Sequence, residues 1–241
     1  SFCKNIYKIL DTNGIWILEF SYFPLLLQNL TYDQICHEHV MYYTLTTFNN
    51  IIKKSKLKII DFSLNEINGG SIEIICSRND SILKPKNKKI SKIFTQEKKI
   101  SEREYREFNK RIQKSRKNLK LFLKNVKKKD IIGYGASTKG NVILNFCGIN
   151  NKDISFICDA NPSKLGKFTP GSHIPIIPKA KMRKINPKFL LVLIWSFRTE
   201  VIMQEKKFLD QGGKLLFPLP EFHMVDKGNY KDYLKKKFKD F

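Results

Sequence analysis

Short apolar runs alternate with helical segments in the second half of the chain, and this alternation constrains the fold more than any other feature. Each apolar run has the length of a buried strand, and helical patterns lie between the runs. A strand–helix–strand succession predicts parallel strands with helices packed on the faces of the sheet. We therefore predict an α/β domain over residues 127–226, with strands at 130–133, 154–159, 189–195 and 214–217 and helices at 141–146 and 199–209.

The first 78 residues indicate a smaller α/β piece. Helices are predicted at residues 2–10 and 45–54, with a largely buried strand at 15–20 between them. Asn68-Gly69-Gly70 is typical of a hairpin turn, because Asn and Gly tolerate the positive φ angles that tight turns require. We expect this turn to join strands at residues 57–62 and 71–76.

A polar, Lys-rich linker at residues 79–92 leads into a long amphipathic helix, and together they fill residues 79–126. The apolar positions of the helix recur at helical spacings, which predicts one face packed on a domain. These positions are Tyr105, Phe108, Ile112, Leu119, Phe122 and Val126. Residues 227–241 form a basic tail that we expect to be only partly ordered.

The formal net charge is +23, yet the pattern of the charge argues against nucleic acid as a partner. The basic residues are mostly Lys, whereas surfaces that read bases favour Arg and stacking aromatic rings. The longest strongly apolar run, at residues 189–195, is too short to span a membrane. The five cysteines are scattered without a Cys-x-x-Cys pair, which predicts reduced thiols in a cytoplasmic protein.

The loop at residues 133–140 has glycines at its first, third and last positions and joins a predicted strand to a predicted helix. Glycine permits a tight turn there, and the first helical amides, with Ser137, Thr138 and Lys139, could face a phosphate. The spacing differs from that of a Walker loop and lacks the third glycine of a dinucleotide fingerprint at its usual offset. The loop indicates a phosphorylated ligand, with a purely structural turn as the alternative.

Residues 32–39 place two of the four histidines around a carboxylate, at the end of a strand-like run. An imidazole beside a carboxylate is suited to proton transfer near neutral pH, because His titrates at about 6.5 and the anion raises its basicity. His37, Glu38 and His39 are therefore candidates for acid–base chemistry, with an ordinary surface turn as the alternative. No further metal ligand stands at a useful spacing, so we predict no metal site.

Three other polar residues are candidates with weaker support. Asp159 ends a predicted strand, where a dinucleotide-binding fold carries an acid for a ribose hydroxyl, but it could also cap the turn at Asn161, and we favour the cap. We interpret His173 as a loop residue. His223 could lie near the ligand-binding edge of the sheet.

Five separated motifs, in order, resemble signatures of the S-adenosylmethionine-dependent sugar C-methyltransferases. The resemblance runs across nearly the whole chain, and the agreement of five motifs makes it specific. The motifs are Tyr32-Asp33 through His37-Glu38-His39 to Tyr42-Tyr43, then Asn68-Gly69-Gly70-Ser71, then Gly133-Tyr134-Gly135-Ala136-Ser137-Thr138-Lys139-Gly140-Asn141, then Trp195, and finally Gly212-Gly213-Lys214 to Pro218-Leu219-Pro220.

The resemblance implies an enzyme with an N-terminal zinc-binding domain, a central methyltransferase domain and a C-terminal Rossmann-like domain. Residues 1–78 would then be the end of an S-adenosylmethionine-methyltransferase-type sheet, and residues 127–226 the Rossmann-like doubly wound domain. Because the chain opens at Ser1 without a Met, we expect the donor-binding loop and the zinc-binding cysteines to lie upstream of it. On that expectation, the chain alone should neither bind S-adenosylmethionine well nor turn over.

The resemblance also implies a mechanism on a nucleotide diphosphate sugar. A base removes a proton from the carbon beside a ketone, and the resulting enolate attacks the sulfonium methyl group. His39 is the implied base, and Glu38 orients it. The implied substrate contacts are His37, Cys36, Tyr134, Ser137, Thr138, Lys139 and Asn141.

Two positions depart from the family pattern. Cys36 stands where the family usually has Tyr, and Asn68 where it usually has His. A thiol is a poorer hydrogen-bond donor than a phenol, which weakens any stabilisation of an enolate at that position. Two alternatives stay open: an NAD-dependent nucleotide-sugar oxidoreductase, and a non-catalytic module that binds nucleotide sugars.

Overall fold

The computed structural model describes residues 2–236 and divides into two compact units. Of the described residues, the first unit consists of 2–29 and 40–108, and the second consists of 30–39 and 109–236. The sequence did not indicate that the ten-residue segment Leu30–His39 belongs to the second unit. The two units are described in turn.

The first unit contains a three-stranded antiparallel sheet in the order β1-β3-β2. Its strands are β1 (Ile15–Ser21), β2 (Leu57–Asn65) and β3 (Ser71–Arg78). Asn68, Gly69 and Gly70 all have positive φ in the turn between β2 and β3, as expected from the sequence. A side chain at Gly70 would begin 2.6 Å from Leu25 Cβ, so close packing also requires glycine there.

Strand β1 is less buried than the sequence predicted. Ile15 and Ile17 are each about half exposed, and Trp16, Leu18 and Phe20 are only partly buried against the core. The physical reason is that β1 lies at the end of the sheet and pairs only with β3 in the described part of the chain. Its second edge and one of its faces therefore have no cover there.

Four helices accompany this sheet: α1 (Phe2–Ile9), α2 (Phe23–Gln28), α3 (Leu45–Lys53) and α4 (Asn87–Glu97). A fifth helix, α5 (Glu102–Lys124), begins in the first unit and belongs to the second unit from Asn109. The predicted linker at residues 79–92 is wrong in its second half, because α4 begins at Asn87 and buries Ile90 and Ile93 in the core. The predicted long helix is present as α5. Of its apolar positions, Ile112 and Leu119 are buried, whereas Tyr105 is 47% exposed and Val126 lies beyond the helix.

The second unit confirms the α/β prediction with a six-stranded sheet in the order β6-β5-β4-β7-β8-β9. All neighbouring strands are parallel except β9, which runs antiparallel to β8. The strands are β4 (Ile131–Tyr134), β5 (Ile157–Asp159), β6 (Ile176–Pro178), β7 (Phe189–Val192), β8 (Lys214–Phe217) and β9 (His223–Val225). The sequence did not indicate β6 or β9, which are only three residues long.

The remaining helices are α6 (Thr138–Cys147), α7 (Lys179–Ile185), α8 (Arg198–Gln204), α9 (Lys206–Asp210) and α10 (Tyr230–Lys235). The helix predicted at residues 199–209 is thus two helices that meet at Glu205. None of the helices in residues 2–236 combines the length and the apolar character needed to cross a bilayer.

The position of β4 determines where a ligand can bind. The chain continues from β4 to β5 and β6 on one side, and then returns to place β7, β8 and β9 on the other side. In open α/β sheets of this kind, ligands bind beyond the carboxyl ends of the strands where the strand order reverses. That point lies between β4 and β7.

Part of the predicted basic tail is folded. Helix α10 covers Tyr230–Lys235, and Tyr233 stacks on His223 with ring centroids 4.7 Å apart. An aromatic contact therefore attaches this stretch of the tail to β9. Residues 237–241 of the tail lie outside the described residues.

Candidate functional site

The glycine-rich loop after β4 is shaped by close packing. Gly135 has a φ of 89°, and a side chain there would begin 2.6 Å from Ile194 Cγ2. At Gly133 a side chain would begin 2.7 Å from Ile157 Cγ1. These glycines therefore have a structural role, which the sequence left open as an alternative. They allow the loop to pack closely against the neighbouring residues Ile157 and Ile194.

Asp159, at the end of β5, forms a hydrogen bond with this loop. Its Oδ2 accepts the amide of Ala136 at 2.7 Å, and its Oδ1 accepts the amide of Asn161 at 2.8 Å. Lys164 donates to the carbonyl of Ala136 at 2.8 Å and lies 3.7 Å from the Asp159 carboxylate. The favoured interpretation of Asp159 as a cap is confirmed, and both of its oxygens are used within the protein.

Helix α6 starts at the end of the loop, with Ser137 as its N-cap. The Ser137 hydroxyl accepts the amide of Gly140 at 3.0 Å, so this side chain satisfies the helix terminus. Thr138 is exposed and Asn141 is half-buried on the first turn. The Oδ1 atom of Asn141 is buried and accepts no hydrogen bond in residues 2–236, which leaves it available to a donor on a ligand.

The histidine segment is not strand-like. Tyr32–Gln34 form a short 3₁₀ helix, and a turn follows in which the amide of His39 donates to the carbonyl of Cys36 at 3.0 Å. Asp33 is 1% exposed, and its Oδ2 accepts the indole N–H of Trp195 at 2.7 Å. Trp195 follows β7, so the chain's own side chains fill the carboxyl end of that strand.

A cavity of about 510 Å³ lies between the histidine segment and α6. It brings together four of the predicted substrate contacts, Cys36, His37, Thr138 and Asn141, although His37 and Asn141 are 104 positions apart in the sequence. The remaining wall is formed by Val142, Asn145, Phe146 and Pro170. The wall is mixed polar and apolar, which suits a sugar ring.

A second cavity of about 230 Å³ shares Thr138, Asn141 and Pro170 with the first. Its far wall carries Lys164 and Lys167, which the sequence did not single out. Both lysines follow β5 in the sequence. This position after a predicted strand is the one sequence feature from which they could have been predicted as site residues. Two lysines beside the first turn of α6 make this cavity suitable for an anion.

The other predicted site residues lie elsewhere. Neither Glu38 nor His39 lines these cavities, and in residues 2–236 no hydrogen bond or ion pair joins the side chains of Glu38, His37 and His39. Tyr134 is 2% exposed, and its hydroxyl donates to the buried carboxylate of Glu205 at 2.9 Å. Tyr134 therefore belongs to a buried polar network.

Lys139 lies close enough to Asp33 and Cys36 to interact electrostatically with both. Burial lowers the pKa of Lys139, and those two neighbours oppose that shift. Burial raises the pKa of Asp33 to about 6, while the Trp195 hydrogen bond and the charge of Lys139 act in the opposite direction. Lys139 thus interacts electrostatically with two residues of the histidine segment.

The family resemblance implies two groups, zinc and S-adenosylmethionine. No cluster of three or more His, Cys, Asp or Glu side chains could hold a metal ion in residues 2–236. The largest cavity described in the first unit, about 730 Å³, is lined mainly by Phe2, Trp16, Leu18, Phe20, Tyr43 and Phe48, with no carboxylate for the ribose hydroxyls of S-adenosylmethionine.

Two comparisons with known proteins agree. The family model described as the C-methyltransferase C-terminal domain matches residues 66–220. The chain is 32% identical over 229 residues to C-methyltransferase NovU of Streptomyces niveus, in a match that covers 92% of this chain and 54% of NovU. The chain spans about half the length of this curated relative. It belongs to the C-methyltransferase family that carries this C-terminal domain.

Proposed function

We propose that this chain is the substrate-binding and deprotonating portion of an S-adenosylmethionine-dependent C-methyltransferase. Its substrate would be a nucleotide-linked deoxysugar with a ketone, methylated on the neighbouring carbon through an enolate. The observation that carries this proposal is the pair of adjoining cavities, one bounded by Cys36 and His37 and the other by Lys164 and Lys167. The substrate has the same two chemical parts, a sugar and a diphosphate.

The smaller cavity would hold the diphosphate. Lys164 and Lys167 supply positive charge, and Thr138 supplies a hydroxyl at the first turn of α6. Charge-assisted hydrogen bonds from such groups to phosphate are about twice as strong as neutral ones. Asn141 lies in the wall of both cavities, and its buried Oδ1 would accept a hydroxyl of the ligand where the two parts meet.

The larger cavity would hold the sugar, beside the turn that carries the base. His39 would remove the proton next to the ketone, and Glu38 would orient the imidazole. Because Glu38 does not contact His39 in this structure, binding of the ligand would have to bring the two together, and hydrogen bonds in ligand-free sites are often long. His37 and Cys36 would face the sugar, with Lys139 close to the developing enolate oxygen.

The methyl donor would bind in the half of the relatives' length that this chain does not cover. S-adenosylmethionine, once bound there, supplies an electrophilic methyl group. The contribution of this chain would then end at the enolate. Zinc would likewise belong to that other half. The five free thiols support a reducing compartment, and we propose the cytoplasm.

A non-catalytic module that binds nucleotide sugars is the second candidate. It is favoured by the position of Glu38 and His39 outside the cavities and by a thiol at residue 36. The NAD-dependent oxidoreductase has weaker support. Asp159 is engaged with Ala136 and Asn161 rather than open to a ribose, and Asp33 and Trp195 occupy the sheet edge beside β7.

The first experiment is a calorimetric titration of the full chain with a nucleoside diphosphate sugar and with NAD. The sugar nucleotide should bind, and Lys167→Met should weaken its binding about tenfold, since one charge-assisted bond is lost. Lys152→Met removes the same charge from an exposed turn and serves as the control. Tight NAD binding without binding of the sugar nucleotide would contradict the proposal.

The second experiment separates the catalytic candidate from the binding module. The proton beside the ketone of the bound sugar should exchange with solvent deuterium, as followed by NMR or mass spectrometry. His39→Ala should abolish that exchange and leave the dissociation constant of the sugar nucleotide nearly unchanged. Binding without exchange in the unmodified protein would favour the module.

A further inference from the structure

Asp33 and Trp195 form a buried pair that the proposed function has not yet used. The two residues are 1% exposed each, and the hydrogen bond from Trp195 Nε1 to Asp33 Oδ2 is 2.7 Å long. They are 162 positions apart in the sequence. Trp195 lies just beyond β7, and Asp33 lies in the short 3₁₀ helix that precedes the turn at Cys36–His39.

This pair is an unusual choice for a purely structural contact. A buried carboxylate is costly, because burial disfavours its charged form. An amide would satisfy the indole N–H without that cost. What the carboxylate adds is a negative charge facing Lys139 on the first turn of α6. The hydrogen bond of the pair therefore ties the histidine segment to the residues that follow β7.

Local contacts and backbone hydrogen bonds hold the residues around Asp33 and lead from it to the turn. The ring of Tyr32 packs on Phe146 with centroids 5.1 Å apart, and its hydroxyl lies 3.7 Å from the Cys147 sulfur. The amide of Ile35 donates to the carbonyl of Tyr32 at 2.9 Å, and the amide of Cys36 to that of Gln34 at 3.0 Å. These hydrogen bonds restrict the backbone between Asp33 and Cys36, and Cys36 lies in the wall of the larger cavity.

We propose that Asp33 and Trp195 are positioning residues that hold the turn Cys36–His39 in place beside the larger cavity. They touch neither sugar nor base, and they act through the turn. The inference rests on the proposed function in taking His39 as the base. A displacement of about 1 Å at such a distance from the reacting atoms can slow a reaction about a hundredfold.

The test uses the full chain and three variants. Trp195→Phe keeps the ring and removes the N–H, Asp33→Leu removes the acceptor, and Asp33→Asn keeps an acceptor of the same shape. Three quantities are measured: the rate of deuterium exchange beside the ketone, the dissociation constant of the sugar nucleotide, and the rate of Cys36 alkylation by iodoacetamide, followed by peptide mass mapping. Trp16→Phe is the control, because the Trp16 indole makes no hydrogen bond in residues 2–236.

We expect Trp195→Phe and Asp33→Leu each to slow exchange about 10–100-fold, with a dissociation constant within about threefold of the unmodified protein. The double variant should be no slower than either single one, because both remove the same bond. Asp33→Asn should restore exchange to within about fivefold. Alkylation of Cys36 should quicken severalfold in the two damaging variants and not in Trp16→Phe or Asp33→Asn.

The outcomes separate this inference from the proposed function. Normal exchange and normal Cys36 alkylation in Trp195→Phe and Asp33→Leu would overturn the inference and leave the function standing. Absence of exchange in the unmodified protein would overturn the function, while faster alkylation in the variants would still support the anchoring of the turn. Should Trp195→Phe not fold, the comparison of Asp33→Leu with Asp33→Asn decides, since equal exchange and alkylation rates in these two would overturn the inference.

Discussion

Glu97, the last residue of α4, accepts the hydroxyl proton of Tyr22 at an O···O distance of 2.5 Å, and both side chains are buried. The same carboxylate accepts the amides of Leu45 at 2.6 Å and Thr46 at 2.8 Å, as well as the hydroxyl of Thr46. It therefore caps the N-terminus of α3 from another helix. A carboxylate suits this position, because the amide dipoles at a helix N-terminus favour negative charge.

Glu97→Ala should lower the free energy of unfolding by about 3 kcal/mol, because it leaves the buried donors of Tyr22 and Leu45 and the partly buried donors of Thr46 without an acceptor. Urea denaturation measures this change. Glu102→Ala is the control: its side chain is 85% exposed and pairs with Arg106 on the same helix, so about 0.5 kcal/mol is expected. Equal losses in the two variants would contradict the capping role.

The titration of Asp33 should make stability fall as pH rises. Its pKa is raised from 3.8 in the unfolded chain to about 6 in the folded protein. The stability associated with the protonated form is therefore present below pH 3.8 and is lost as pH rises through 6, by about 3 kcal/mol. Asp33→Asn should remove this loss, as measured by urea denaturation between pH 4 and 7. Parallel profiles for the two proteins would contradict it.

His223 should have the opposite pH dependence. Its ring lies between Phe217 and Tyr233, at centroid distances of 5.1 and 4.7 Å. Burial lowers its pKa to about 4, helped by the cations of Arg198 and Lys236 and opposed by the carbonyl of Glu221. The folded protein binds fewer protons than the unfolded chain between pH 6.5 and 4, so stability is lost as pH falls through this window, by about 3 kcal/mol.

His223→Phe preserves the aromatic stack and removes the titrating group. Between pH 6.5 and 4, the free energy of unfolding of this variant should therefore decrease by less than that of the unmodified protein. Because Asp33 titrates in an overlapping window with the opposite sign, the comparison is also made in the Asp33→Asn background. An unchanged slope in that background would remove His223 as the cause.

Gly135→Ala should both destabilise the protein and weaken ligand binding. The new methyl group would begin 2.6 Å from Ile194 Cγ2, at a φ of 89° that L-residues rarely adopt. We expect a loss of about 3 kcal/mol, combining strain of about 1 kcal/mol with overpacking. Thermal denaturation and titration with the sugar nucleotide measure the two effects.

Gly212→Ala is the matched control for this change. Gly212 has a φ of 90°, but no atom lies within 4 Å of the position a side chain would take. Only the backbone strain of about 1 kcal/mol should then appear, with ligand binding unchanged. A Gly135→Ala protein that behaves like Gly212→Ala would show that the contact with Ile194 relaxes freely.

The sequence predicted the family more completely than it predicted the candidate site. The ordered motifs indicated a C-methyltransferase, which the comparisons confirm. The proposed roles of His39 and Glu38 stay predictions. Of the substrate contacts, the structure brings Cys36, His37, Thr138 and Asn141 to one cavity, uses Ser137 as a helix cap and buries Tyr134 in the polar network with Glu205.

The sequence by itself determined the elements whose patterns are local. The alternation of apolar runs predicted the parallel strands of the second unit, and Asn68-Gly69-Gly70 predicted the turn between β2 and β3, because side-chain periodicity and φ preferences act over a few residues. Only the tertiary structure placed the segment Leu30–His39 in the second unit, paired Asp33 with Trp195, and brought Lys164 and Lys167 to the glycine-rich loop. These contacts join residues far apart in the chain, and the burial and hydrogen bonds that decide them leave no periodic trace in the sequence.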